Sequence, residues 1–159
     1  MTEMVRLDRL AKRFGPVHAV EEVSFTVARG EVLGFLGPNG AGKSTTMRML
    51  TGFIPPTAGS ATVLGFDVVK QAIEVKRRVG YLPEGAPLYG DMTVIDFLRF
   101  VAAMRSLAGE EGRAKIEAAI DRTQLAEVAH RPIETLSKGF KRRVGLAQAI
   151  MHDPPVLIL

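Results

Sequence analysis

Apolar and polar positions follow two regimes along the chain. In the first, residues 4–10 and 23–27 carry the β-branched, alternating pattern of strands with one covered face. A turn at Gly30 then leads into the apolar run 32–36, which predicts a strand covered on both faces. Residues 44–50 read as a helix, stopped by Gly52 and Pro55-Pro56. Two more short strands are expected at 61–64 and 79–82, with a helix over 69–77 between them. Strands interleaved with helices make this half an α/β pattern.

From Glu84 onward the period changes to that of helices. Thr93-Val94-Ile95-Asp96 has the form of a capping box, and Val94, Phe97, Leu98, Val101 and Met104 continue one apolar face at helical spacing. Glycines at 109 and 112 interrupt the pattern, and helices follow over 113–122 and 140–152. Pro154-Pro155 then introduces Val156-Leu157-Ile158-Leu159 as a buried strand, so the helical block is expected to be inserted between two strands of one sheet. The organisation read this way is an α/β core with an antiparallel N-terminal β portion over 1–83, an α-helical subdomain over 84–152, and the start of a further strand over 153–159.

Composition narrows the class. A chain of 159 residues suffices for one core and a small subdomain. No apolar run approaches the ~20 residues of a membrane span, nothing at the N-terminus resembles a signal peptide, and a cytoplasmic location is expected. Without cysteine, disulfide and thiolate chemistry drop out. The net charge of +4 invites a polyanion reading, but the basic residues gather only in Lys76-Arg77-Arg78 and Lys141-Arg142-Arg143, which read as solvated helix faces. His18, His130 and His152 are expected at the surface.

Gly37-Pro38-Asn39-Gly40-Ala41-Gly42-Lys43-Ser44 fits G-x-x-x-x-G-K-[ST], followed by Thr45, between an apolar strand and a helix. Glycines there let successive N–H groups converge on phosphate, and the helix that follows aims its positive dipole end at the same place. Lys43 would reach the β and γ oxygens of a nucleoside triphosphate, ATP above all, and the Ser44 hydroxyl would hold Mg²⁺.

Leu136-Ser137-Lys138-Gly139-Phe140 is the second anchor. Taken with the phosphate loop, it resembles the signature of the ATP-binding-cassette (ABC) proteins, although Lys138-Gly139 stands where a glycine pair is usual and Phe140 where glutamine is commonest. The resemblance implies that Ser137 and Gly139 contact the γ-phosphate of ATP held by a second, head-to-tail subunit. It implies that Phe14 stacks on the adenine, core packing being the alternative. It also sets Glu84, at the end of Gly80-Tyr81-Leu82-Pro83-Glu84, where the family normally has glutamine, as a Mg²⁺ ligand or water-orienting group; a surface acid is the alternative. The stretch around Glu84, Pro87-Leu88-Tyr89, Asp91 and Met92-Thr93-Val94 is similar to ATPases of ABC-2 type exporters.

On that resemblance the chain is an ATPase subunit powering export, peripheral on the inner face of the cell membrane through a transmembrane permease subunit. The family's Mg²⁺-binding aspartate and water-activating glutamate follow a strand such as 156–159 and are not among these residues. The sequence therefore reads as a piece of a longer cassette that binds Mg-ATP and hydrolyses it scarcely at all. A soluble ABC-type ATPase acting on nucleic acid or the ribosome is the rival; a nucleoside kinase would have no use for the signature.

Overall fold

The computed structural model describes residues 2–86 and 88–159, and they form two compact units that divide between Arg78 and Val79. Pro87 lies outside the described residues.

In the first unit, strands β1 (Glu3–Phe14) and β2 (Val17–Ala28) make a long antiparallel hairpin, and β3 (Ala58–Val63) and β4 (Phe66–Asp67) extend it into a sheet ordered β2-β1-β3-β4. The hairpin outruns the alternation because bulges reset the period. Register shifts between Leu7 and Leu10, where Arg9 takes φ 45°, and the Arg9 N–H turns to the Ser24 hydroxyl at 2.8 Å. Val5, Leu7, Leu10, Ala61 and Val63 fill the covered face. Helix α1 (Lys43–Leu50) packs on this sheet through Thr46, Met49 and Leu50, the i, i+3, i+4 positions of its buried stripe. It ends in a left-handed Gly52 (φ 69°), whose N–H bonds the Met49 carbonyl. Helix α2 (Ala72–Arg78) then packs beside β4 on Val75, which is fully buried.

The apolar run 32–36 is not a strand among the described residues. It has no hydrogen-bonded neighbour there, and Val32 and Leu36 are 95% and 94% exposed. Hydrophobicity announces a surface to be covered; pairing requires a partner, and none of the described strands supplies one.

The second unit is built on β5 (Val79–Tyr81) and β6 (Val156–Ile158), paired in parallel, with the helical block entering between them. This pairing places residues 79–83 and 153–159 with the helices, so the compact units divide at Arg78 rather than after 83. Leu157 and Leu159 stay 43% and 68% exposed, contrary to the expected buried strand, because β6 pairs on one side only among the described residues. Helix α3 (Val94–Met104) begins at Thr93, whose hydroxyl accepts from the Asp96 N–H and donates to the Asp96 carboxylate, reproducing the expected cap. Helix α4 runs Gly109–Arg122, so Gly112 lies inside it rather than breaking it. A Cβ there would come within 2.8 Å of the Leu107 carbonyl oxygen, so close packing explains the glycine. Helix α5 (Lys138–Ile150) begins two residues earlier than its periodicity suggests, at the cap supplied by Ser137. Val94, Leu98, Ile116, Leu125, Val144 and Ala147 are at the centre of the core these helices share.

Candidate nucleotide site

The phosphate loop is shaped by its glycines and by the hairpin behind it. Gly40 and Gly42 both take left-handed backbone, φ 84° and 83°. At Gly42 the constraint is double, since a Cβ would fall 2.2 Å from the Ala19 carbonyl oxygen of β2. Gly42 is also the N-cap of α1, and no side chain accepts from the first-turn amides. Those N–H groups and the dipole of the helix therefore open toward the loop. Thr46, which the sequence reading passed over, holds the arrangement from beneath. It is 1% exposed, and its hydroxyl donates to the Gly42 carbonyl at 2.9 Å. The signal for it was its place on the same covered stripe as Met49.

The Lys43 ammonium is curled into the loop, donating to the carbonyl oxygens of Gly37 at 2.6 Å and Pro38 at 2.7 Å. A cation held over a turn lined with amide donors is the donor set a polyphosphate requires, and Gly37, Asn39, Gly40, Ala41 and Ser44 are all exposed around it. The residues fit a nucleoside triphosphate. They also fit its Mg²⁺ in the usual sparse form, one hydroxyl from Ser44 beside phosphate and water. Among the described residues no cluster of acids and histidines would hold a metal unaided.

Phe14 closes β1 at the turn of the hairpin whose second strand backs Gly42. Its ring is 51% exposed with the Lys12 ammonium 5.1 Å from the centroid, which disposes of core packing as its role.

In the second unit, Ser137 caps α5 by accepting from the Phe140 N–H at 3.3 Å, while Leu136 beside it is buried. Ser137, Lys138 and Gly139 are exposed. A Cβ on Gly139 would meet only the Ser137 hydroxyl, at 3.9 Å, and its backbone is not left-handed. The local fold thus does not need glycine at 139, unlike at 42. Glu84 is exposed on a turn closed by the Ala86 N–H to Pro83 carbonyl bond at 3.1 Å. Phe14 and 37–45 thus share one unit, and Glu84, Ser137 and Gly139 the other.

His152 departs from the surface position expected of it. Both ring nitrogens are shielded from solvent without a partner in hydrogen-bond geometry. Burial first, then the charges of Arg105 and Lys115, push its pKa down to about 4, opposed only by Asp153 and the Val79 backbone. The unfolded chain therefore takes up the proton first as pH falls. Stability conferred by the neutral ring is complete above pH 6.5 and drains away between 6.5 and about 4. Urea unfolding across that window should show the loss, and His152→Leu should flatten that part of the profile; an unchanged slope would mean that the ring is solvated.

The ABC transporter family model matches residues 20–159. Among curated proteins, the chain is 39% identical over 156 residues to the probable multidrug ABC transporter ATP-binding protein YbhF of Escherichia coli, covering 98% of this chain and 27% of that one. It is 39% identical over 160 residues to the ABC transporter ATP-binding protein NatA of Bacillus subtilis, covering 98% of this chain and 65% of that one. Among solved structures, an ATP-binding subunit of an ABC transporter superposes with a TM-score of 0.86 at 28% identity, over 98% of this chain and 65% of the other. The chain thus spans between about a quarter and two thirds of the length of these relatives. With a phosphate loop on an antiparallel β portion, a helical block between two parallel strands, and a match across most of its length, the chain belongs to the ABC transporter family and has its α/β P-loop ATPase fold.

Proposed function

We propose that this chain is the ATP-binding part of an ATPase that powers export across a membrane, of the ABC-2 type. The observation that carries the reading is the exposed, glycine-shaped turn at the start of α1 with the Lys43 ammonium drawn into it. In this reading Lys43 and the amides of 40–45 bind the β and γ phosphates, and Phe14 stacks on the adenine. Ser44 holds Mg²⁺. The metal, when bound, neutralises phosphate charge and polarises the γ-phosphoryl group.

Ser137 and Gly139 complete the site of a second subunit placed head to tail. Supporting this, a glycine that its own fold does not require leaves backbone open at the positive end of α5, where a partner's γ-phosphate would sit. A permease subunit would dock beside Glu84 and α3. There Tyr89 and Met104 are 58% and 72% exposed, and Tyr89 stands edge-on to Phe100 at 5.5 Å, an aromatic and methionine surface of the kind interfaces favour. Among the described residues no helix is long and apolar enough to cross a membrane, so in this reading attachment to the cytoplasmic face comes through that permease.

Phe14→Ala should weaken Mg-ATP binding by roughly 1–3 kcal/mol, the usual worth of a base stacked on an aromatic ring, and Phe14→Tyr should bind like the parent. Titration calorimetry reads both. Equal affinity for alanine and phenylalanine would remove Phe14 from the site.

A further inference from the structure

Helix α2 presents apolar side chains on the side away from its packing. Val75 is its buried position, and Val68 just before the helix is 2% exposed. Yet Val69, in the turn before the helix, and Ile73, in its first turn, are 52% and 67% exposed. Phe53, 63% exposed, extends the patch beneath Lys76, whose ammonium is 5.0 Å from the ring centroid. Nothing in the packing of this unit requires branched aliphatics at 69 and 73.

Charge around the patch is net positive: Lys70, Lys76, Arg77 and Arg78 outnumber Asp67 and Glu74 by two. Asp67 is occupied in capping, its carboxylate accepting from the N–H groups of Val69 at 2.8 Å and Lys70 at 2.9 Å, and those bonds hold its pKa below the ordinary carboxylate value. Glu74 is committed to Arg78 and to Arg77, the latter at 3.0 Å. Among the described residues Lys70 and Lys76 stand in no salt bridge; Asp67 attracts Lys70 at longer range, and the rim of the apolar patch is left net positive.

We infer that the face made by Phe53, Val69, Lys70, Ile73 and Lys76 is a contact surface for an anionic lipid bilayer. Exposed apolar side chains with lysines on their flanks are an arrangement that suits a headgroup layer. The branched side chains enter the acyl boundary, while the lysine stems cover apolar surface and keep their ammonium groups among the phosphates. Acidic lipid supplies counter-charge for the two positive charges that Asp67 and Glu74 leave over. A protein partner would have to match the same pattern with an acidic, apolar segment, and the test separates the two. The inference is independent of nucleotide binding.

Sedimentation of the whole chain with protein-free vesicles is the experiment, comparing phosphatidylcholine alone with equal parts phosphatidylcholine and phosphatidylglycerol. The chain should pellet with the anionic vesicles, scarcely with the neutral ones, and progressively less as salt is raised. Lys70→Ala with Lys76→Ala should lower the partition coefficient about thirtyfold, as two basic contacts to an acidic surface would. Ile73→Ser should lower it further with the salt dependence unchanged. Lys141→Ala with Arg142→Ala, which changes the other basic triplet, should leave it unaltered, and circular dichroism checks that every variant is folded. Equal pelleting with both lipids, or loss of binding through 141 and 142 and not through 70 and 76, would overturn the assignment. So would failure to pellet with protein-free vesicles while pelleting with native membranes, which would give the face to a protein partner.

Discussion

Tested as residues 1–159, the chain is expected to release phosphate from Mg-ATP about 10²–10⁴-fold more slowly than a cassette that also supplies a water-activating carboxylate, since that is the usual worth of such a group. Strand β6 offers only Val156, Leu157 and Ile158, and among the described residues no acid cluster could hold a metal. Glu84 is the one acid in the matched motifs, and it lies on an exposed turn in the compact unit other than that of the phosphate loop. The run 32–36 feeding the phosphate loop is also unpaired among the described residues. Appending the acid-bearing segment of a longer relative should raise turnover by the same factor. Brisk phosphate release from 1–159 that vanishes in Lys43→Ala would instead show that the chain carries its own base.

What could be read in advance was whatever depends on local rules. The phosphate loop is legible because left-handed turns need glycine and phosphate needs amides and a cation, and all of these lie within a few residues. The Thr93 cap is legible for the same reason, a hydroxyl one residue before an apolar helical face, whereas the Ser137 start of α5 is followed by Lys138-Gly139 and its periodicity begins only at Phe140. Features set by distant neighbours were not. The hairpin runs to Phe14 and starts again at Val17 because bulges at Arg9 and beyond reset its alternation, and single-sequence periodicity sees a bulge as the end of a strand. The run 32–36 has the composition of a covered strand without a pairing partner among the described residues. Gly112 reads as a break because the carbonyl that explains it belongs to the turn before the helix. His152 was placed at the surface by residue type, whereas the residues packed around it shield both nitrogens.

Lys43→Ala is expected to weaken Mg-ATP binding by roughly 1.5–3 kcal/mol, the worth of a charge-assisted hydrogen bond. That is about ten- to a hundredfold in affinity. The lysine is free to move to phosphate at small cost, because what it leaves are two backbone carbonyls on exposed residues that water can satisfy. Its removal should spare the fold. The buried stripe of α1 is Thr46, Met49 and Leu50, and the Thr46 bond to Gly42 does not involve Lys43. Calorimetric titration of Mg-ATP into the parent chain and into Lys43→Ala, with unfolding curves to confirm that both are intact, therefore tests the nucleotide site most directly. Saturable binding by the parent, weakened about ten- to a hundredfold in an equally stable variant, is the predicted result; the same affinity in both, or no saturable binding by the folded parent, would contradict it.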